Sequence, residues 1–238
     1  MMKELFQVKE TIVTIIAEEQ KFIEHAKRAV LRARSQLENF ISCDRFFAIT
    51  LEPYHCNERA PEIIKLMCDA SSKFGIGPMS TVAGAIAQTA LEAMLEKGAE
   101  HAIVDNGGDI ALALKESVNI GIYAGDAKVK NLALRILPES TPLGICTSSA
   151  TIGHSISFGK ADACTVVANN AIIADAAATA LGNAVVSKEE IEKAFEVVKN
   201  IDGIRGAIII IDDKIGLWGE LPKIVKAEVR PEIITKRR

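Results

Sequence analysis

Hydrophobic and polar positions change period several times along the chain, and each change marks an element. Residues 5–17 alternate and are rich in β-branched side chains, which predicts one strand or a hairpin turning at Lys9-Glu10. Over 18–42 the period lengthens to that of a helix, with Phe22, Ala26, Ala29, Val30, Ala33 and Leu37 on one stripe and charges opposite. A strand is expected at 45–51 and a helix at 62–74, stopped by Gly75-Ile-Gly77-Pro78. Ser80 or Thr81 is the expected cap of a helix at 82–97. Strands at 101–105 and 109–115 flank Asn106-Gly107-Gly108, a strong hairpin signal. Apolar runs at 118–124, 132–137, 143–147 and 164–168 continue as strands, interrupted by a polar loop at 148–162. Helices follow at 171–186 and, capped by Ser187, at 188–199. A hairpin at 206–211 and 215–218 closes the pattern, and the tail can add an edge strand.

Short turns between neighbouring strands imply an α+β fold, a mostly antiparallel sheet with helices packed on one face. No stretch rich in proline, glycine or serine divides the chain, so residues 1–238 are expected to form one domain. The segment Ala87-Gln-Thr89-Ala-Leu echoes Ala177-Ala-Thr179-Ala-Leu, which admits either an internal duplication or chance within alanine-rich helices.

Composition then narrows the classes. Hydrophobic residues make up 49% of the chain and aromatics 5%, so the core is aliphatic and its helices can approach closely. A formal net charge of −3 gives no global basic field for nucleic acid. The basic residues from Lys223 to Arg238 are expected to be a solvated extension. Five cysteines, none in a Cys-x-x-Cys pair, suggest reduced and buried thiols. No export signal and no charge-free apolar run of bilayer length are apparent, so the expected compartment is the cytoplasm, with no membrane partner. An apolar sheet edge is compatible with a homodimer.

Three segments carry candidate chemistry. Asp175 and Thr179 stand four apart on an otherwise alanine-rich helix, so both emerge on one face that is set up for burial. A buried carboxylate needs a partner or a cation. The helix offers no lysine or arginine, and a carboxylate with a hydroxyl suits Mg²⁺. The plain alternative is an aspartate favoured by the helix dipole and a threonine bonded back to a carbonyl. Asn106-Gly107-Gly108-Asp109 is either a tight turn or a place where a ligand approaches the backbone. Thr147, Ser148 and Ser149, followed by His154, can line a polar pocket with one acid–base group, or form an exposed loop.

Those features, in that order, resemble the ApbE superfamily of FAD:protein FMN transferases, over about 77–186. The apolar strand running into Asp105-Asn106-Gly107-Gly108-Asp109 is similar to the family's Asn/Asp-x-Gly-Gly-Asp/Asn segment. Thr147-Ser148-Ser149 stands where the family has Thr-Ser-Gly. Ala174-Asp175-Ala-Ala-Ala-Thr179-Ala-Leu181 resembles its Ala-Asp-Ala-x-Ala-Thr-Ala-Leu motif. The resemblance implies a T-fold-like arrangement, a divalent metal at Asp175 and Thr179, and FAD or FMN as the nucleotide. Asn106 to Asp109 and Thr147 to Ser149 would then lie around that ligand, with His154 as the acid–base candidate. Departures stand beside it. Gln88 occupies the family's lysine position, Ser157-Phe158 replaces an Asp-Pro pair, and Ser149 replaces a glycine. With the short length, they point to a shorter archaeal and bacterial branch. That leaves three expectations open: a Mg²⁺-dependent flavin transferase, a non-catalytic flavin or nucleotide binder, or an assembly protein with a degenerate pocket.

Overall fold

The alternating N-terminal segment folds as a hairpin, β1 (Met2–Val8) against β2 (Thr11–Ala17), in register from Met2↔Ala17 to Val8↔Thr11. Lys9 makes the turn with φ at 51°. The computed structural model describes residues 1–149 and 159–228. α1 (Gln20–Cys43) buries the stripe that its periodicity predicts.

The strand expected at 45–51 is instead a single helical turn, α2 (Phe46–Ile49). Asp44 explains the difference. Its carboxylate accepts the Phe46 amide at 2.9 Å and the Tyr54 hydroxyl at 2.6 Å, which bends the chain before a strand can begin. The Phe47 ring is then buried edge-on against Phe40 and Tyr54.

α3 (Glu62–Ser72) leads through a 3₁₀ turn, Pro78–Thr81, into α4 (Val82–Leu95). Neither expected cap serves α4, because Ser80 Oγ donates to the Gly77 carbonyl and Thr81 Oγ1 to that of Pro78. Six strands follow: β3 (Ala102–Asn106), β4 (Asp109–Ala113), β5 (Val118–Ile122), β6 (Leu132–Ile136), β7 (Leu143–Ser148) and β8 (Ala163–Ala168). α5 (Ala171–Ala184) is capped by Asn170 Oδ1, which accepts the Ile173 amide at 2.9 Å. The helix expected over 188–199 is broken into two 3₁₀ turns around α6 (Ile191–Ala194), although Ser187 does accept the Glu189 amide. β9 (Ile204–Ile211), β10 (Lys214–Gly219) and β11 (Lys223–Lys226) complete the chain as described.

Eight strands form one antiparallel sheet in the order β1-β2-β3-β4-β7-β8-β9-β10. Each half of that order runs strand pair, helices, strand pair, with β4 and β7 as the joint. The duplication is therefore one of topology. The two echoing helices, α4 and α5, each lie between the two strand pairs of their own half.

β5, β6 and β11 leave this sheet and make a second one, ordered β11-β6-β5, which corrects the expectation of a single sheet. The reason lies in the apolar faces. Val104, Cys146, Val166 and Ile209 pack beneath the helices, whereas Ile103, Ile145, Val167 and Ile208 point the other way. That second face is buried against Leu134 and Ile136 of the small sheet. Helices thus occupy one face, as expected, and a small sheet covers the other.

α4 and α5 meet at Gly84. A Cβ there would lie 2.3 Å from the Ala171 carbonyl oxygen and 2.7 Å from Asp175 Cβ, both inside contact distance. Gly84→Val is expected to destabilise the fold by about 1–3 kcal/mol in urea titration, because two packed helices must separate.

Candidate functional site

The Asn-Gly-Gly turn is built for its backbone. Gly107 and Gly108 have φ of 73° and 106°, which side chains disfavour. Asp105 Oδ1 accepts the Gly108 amide at 2.8 Å, and Asn106 Nδ2 donates to the Ala83 carbonyl at 3.1 Å. The turn is thereby tied to the first residues of α4. The Gly108 amide is engaged by a carboxylate of its own loop, so the backbone donors expected for a phosphate narrow to Gly107.

Asp109 opens β4 opposite Cys146 of β7. Burial pushes its carboxyl up to about 7; the Asp105 charge adds to the rise, and a hydrogen bond from the Cys146 thiol opposes it. Asp175 on α5 is 7% exposed, and its Oδ2 accepts the Gly84 amide at 2.8 Å. Burial, then the Asp109 charge, raise it well above the usual carboxylate range against that one hydrogen bond. Cys146 lies in the same buried group, donating to the Ala171 carbonyl at 3.3 Å, and its thiol is raised by burial and by both aspartates. Neither Asp109 nor Asp175 has a lysine or arginine partner among the described residues. Thr179, one helical turn beyond Asp175, is half-buried.

The pleat splits the site between two faces. Asp109 and Cys146 point toward the helices; Ile110, Ile145 and Thr147 point away, into a cavity of about 560 Å³ between the two sheets. Ile16, Ile103, Ile110 and Ile145 are part of its lining, and Asp105, Gly107, Gly108, Thr147, Ser149 and Thr165 also reach it. Thr147 and Thr165 are cross-strand partners with hydroxyls 2.9 Å apart. Ser148 turns away toward α5, where a Cβ on Gly182 would come within 3.3 Å of its Oγ.

Of the residues singled out in the sequence, Gly107, Gly108, Thr147 and Ser149 share the cavity, while Asn106, Asp109, Ser148, Asp175 and Thr179 lie at the helix side. His154 lies outside the described residues. Sequence reasoning missed Cys146, read only as a small hydrophobe, and the contribution of β5; both depend on strand register. Among the described residues, no group of three or more His, Cys, Asp or Glu side chains could hold a metal. Asp175 and Thr179 could hold Mg²⁺ only with further oxygens from backbone, water or a ligand, and this ion commonly takes its shell in that way.

Gln88 has a structural task. It is buried, its Oε1 accepts the Ala171 amide at 3.0 Å, and its Nε2 donates to Glu92 at 2.9 Å. The first amide of α5, otherwise an orphan, is satisfied from a neighbouring helix. A lysine has no acceptor for that bond.

Sequence and fold together define an ApbE-like protein. The sequence model of the family described as "AbpE bacteria" matches residues 3–216, and the chain belongs to that family. It is 54% identical over 235 residues to a UPF0280 protein of Methanosarcina acetivorans, covering 98% of this chain and 93% of that one. A UPF0280 protein of Archaeoglobus fulgidus is 45% identical over 235 residues, covering 97% of each. Among solved structures, the flavin transferase ApbE from Vibrio cholerae aligns with a TM-score of 0.59 at 12% identity, over 92% of this chain and 96% of its own. The ApbE protein of Thermotoga maritima aligns with a TM-score of 0.53 at 14% identity, over 100% and 99%. These likenesses show the fold. No described helix is long and apolar enough to cross a membrane.

Two outcomes follow from the geometry. The folded-state pKa of Asp109 is raised to about 7, so its protonated form favours folding and its contribution to stability falls as pH rises from about 4 through about 7; the raised Asp175 acts in the same direction. In thermal melts without divalent ions, Asp109→Asn is expected to gain stability relative to wild type as pH rises across that window. A constant difference would contradict it. Gln88→Lys is expected to lower stability by about 1–3 kcal/mol in urea titration, because the Ala171 amide loses its acceptor.

Proposed function

We propose that this chain binds a flavin nucleotide, FAD or FMN, together with Mg²⁺. The observation that carries the reading is the pair of buried carboxylates, Asp109 and Asp175, without basic partners among the described residues, on the helix side of a sheet whose other face borders a cavity of about 560 Å³. That volume falls within the range of about 300–1,000 Å³ usual for cofactor sites. Two unneutralised acids in a low-dielectric seam favour a cation over a bare phosphate. Bound there, Mg²⁺ would neutralise the aspartates and contact phosphate oxygens as a Lewis acid.

Asp175 and Thr179 are the proposed metal-holding residues. Asn106, Gly107, Gly108, Asp109, Thr147, Ser148 and Ser149 are proposed to surround the nucleotide. In a transfer reaction His154 is the proposed base. Family membership and the flavin transferase named among the solved relatives support the choice of ligand. We place the protein in the cytoplasm and assign it a small-molecule partner. We also propose that it forms a homodimer. One observation favours a second reading, a binder without transfer chemistry: the residue at the family's lysine position, Gln88, is committed to holding α5.

Calorimetric titration with FAD and FMN, with and without Mg²⁺, tests the proposal. Affinity is expected to fall at least about tenfold without Mg²⁺ or in Asp175→Ala, a change of about 1.4 kcal/mol. No binding by the wild type, or unchanged binding by Asp175→Ala, would overturn it. AMP release from FAD in the presence of an acceptor protein, lost in His154→Ala, would select the transferase. Binding without AMP release would select the binder.

A further inference from the structure

The cavity meets its two walls in different ways. From the main sheet it takes alternate residues, Ile103 and Asp105 on β3 and Ile145 and Thr147 on β7, which is one face of a pleat. From the small sheet it takes residues 118–122 of β5 without a gap, with Ala133 of β6 beside Gly121. Side chains of a strand alternate between faces, so an unbroken run of lining residues means that the strand is met edge-on.

β5 is the terminal strand of its sheet, with β6 as its one partner among the described residues. Its outer row of N–H and C=O groups therefore borders the cavity. Every other terminal strand carries charge that discourages pairing: Lys3 and Glu4 on β1, Lys214 on β10, Lys223 and Lys226 on β11. β5, Val-Asn-Ile-Gly-Ile, has neither charge nor proline. Gly121 is exposed in its middle, and a glycine inside a strand often marks close approach by a ligand.

We propose that the outer edge of β5 recognises the hydrogen-bonding edge of a flat heterocycle lying on the isoleucine floor. This rests on the flavin reading above, under which the recognised group is the imide of the isoalloxazine ring. Each outward residue of an antiparallel strand offers its N–H and C=O side by side, a donor–acceptor pair that matches an adjacent C=O and N–H of an imide. A ring continuing the plane of the small sheet would place its face over Ile103, Ile110 and Ile145. The backbone would thus select the ring, while the phosphates would reach past the glycine turn toward the cation on the helix side of the sheet.

Titration of the wild-type protein with FMN and with its N3-methyl derivative, both with Mg²⁺, tests this directly. Methylation removes the donor and crowds the edge, and affinity is expected to fall at least about tenfold. Equal affinities would overturn the inference and leave the flavin reading standing; absence of binding by both ligands would overturn the two together. Asn119→Pro and Ile120→Pro supply a second measurement. Successive strand amides point to opposite sides, so one substitution removes a donor to β6 and the other an outward donor. The variant lacking the outward donor is expected to keep its melting temperature and lose the preference for unmethylated FMN. Full preference in both folded variants would overturn the proposal.

Discussion

The site depends on the way α5 is held with a carboxylate buried at its side. Asp175 lies between α4 and α5 with the Gly84 amide as its one hydrogen bond among the described residues, and the Asp109 charge works against it. Such burial requires the helices to touch, and small residues allow the contact. Gly84 lets α4 approach, and Gly144 lets β7 approach the start of α5, where a Cβ would lie 2.3 Å from the Asn170 carbonyl oxygen. Gln88 and Cys146 then bond to the amide and carbonyl of Ala171. With its first turn fixed, α5 carries Thr179 and Gly182 to the sheet end where β7 closes in Ser148. Packing at one end of the helix thereby sets the chemistry at the other.

The sheet separates two demands. Ionisable groups lie on the helix face, where Asp109, Cys146 and Asp175 share a buried seam. Apolar surface lies on the opposite face, where isoleucines border the cavity under the small sheet. Under the proposal, a ligand reaches both at the glycine turn of 106–108. A nucleotide has the same division, a flat ring and an anionic chain, and a divalent ion suits the join because the protein's groups there are acids. Asp105 sharpens the point by occupying the Gly108 amide, leaving that end of the turn less able to take a bare anion.

Much of this was legible in the sequence. The α1 stripe, the Asn-Gly-Gly hairpin and the closing hairpin all follow from period and turn chemistry, and each is present. Asp175 and Thr179 stood out because polar residues are conspicuous in a run of alanine. Local preference failed where tertiary contacts decide. At 45–51, Asp44 and an aromatic cluster override strand character, and after Ser187 one expected helix breaks into three short turns. The second sheet was hidden because its strands look like any others; only the apolar second face of the main sheet shows that they must cover it. The Asp109–Cys146 pair and the edge of β5 depend on register, which periodicity does not supply. Gln88 was noticed as a departure from the family, and its bond to Ala171 explains that residue as part of the scaffold.

The central claim is that the buried acids of the α4–α5 seam hold a divalent ion beside a flavin nucleotide. The most direct measurement is anomalous scattering from crystals of the protein grown with FMN and Mn²⁺ in place of Mg²⁺. A metal peak is expected within coordination distance of the Asp175 carboxylate and the Thr179 hydroxyl, adjoining phosphate density. Flavin bound with no metal at that position, or metal bound elsewhere, would contradict it.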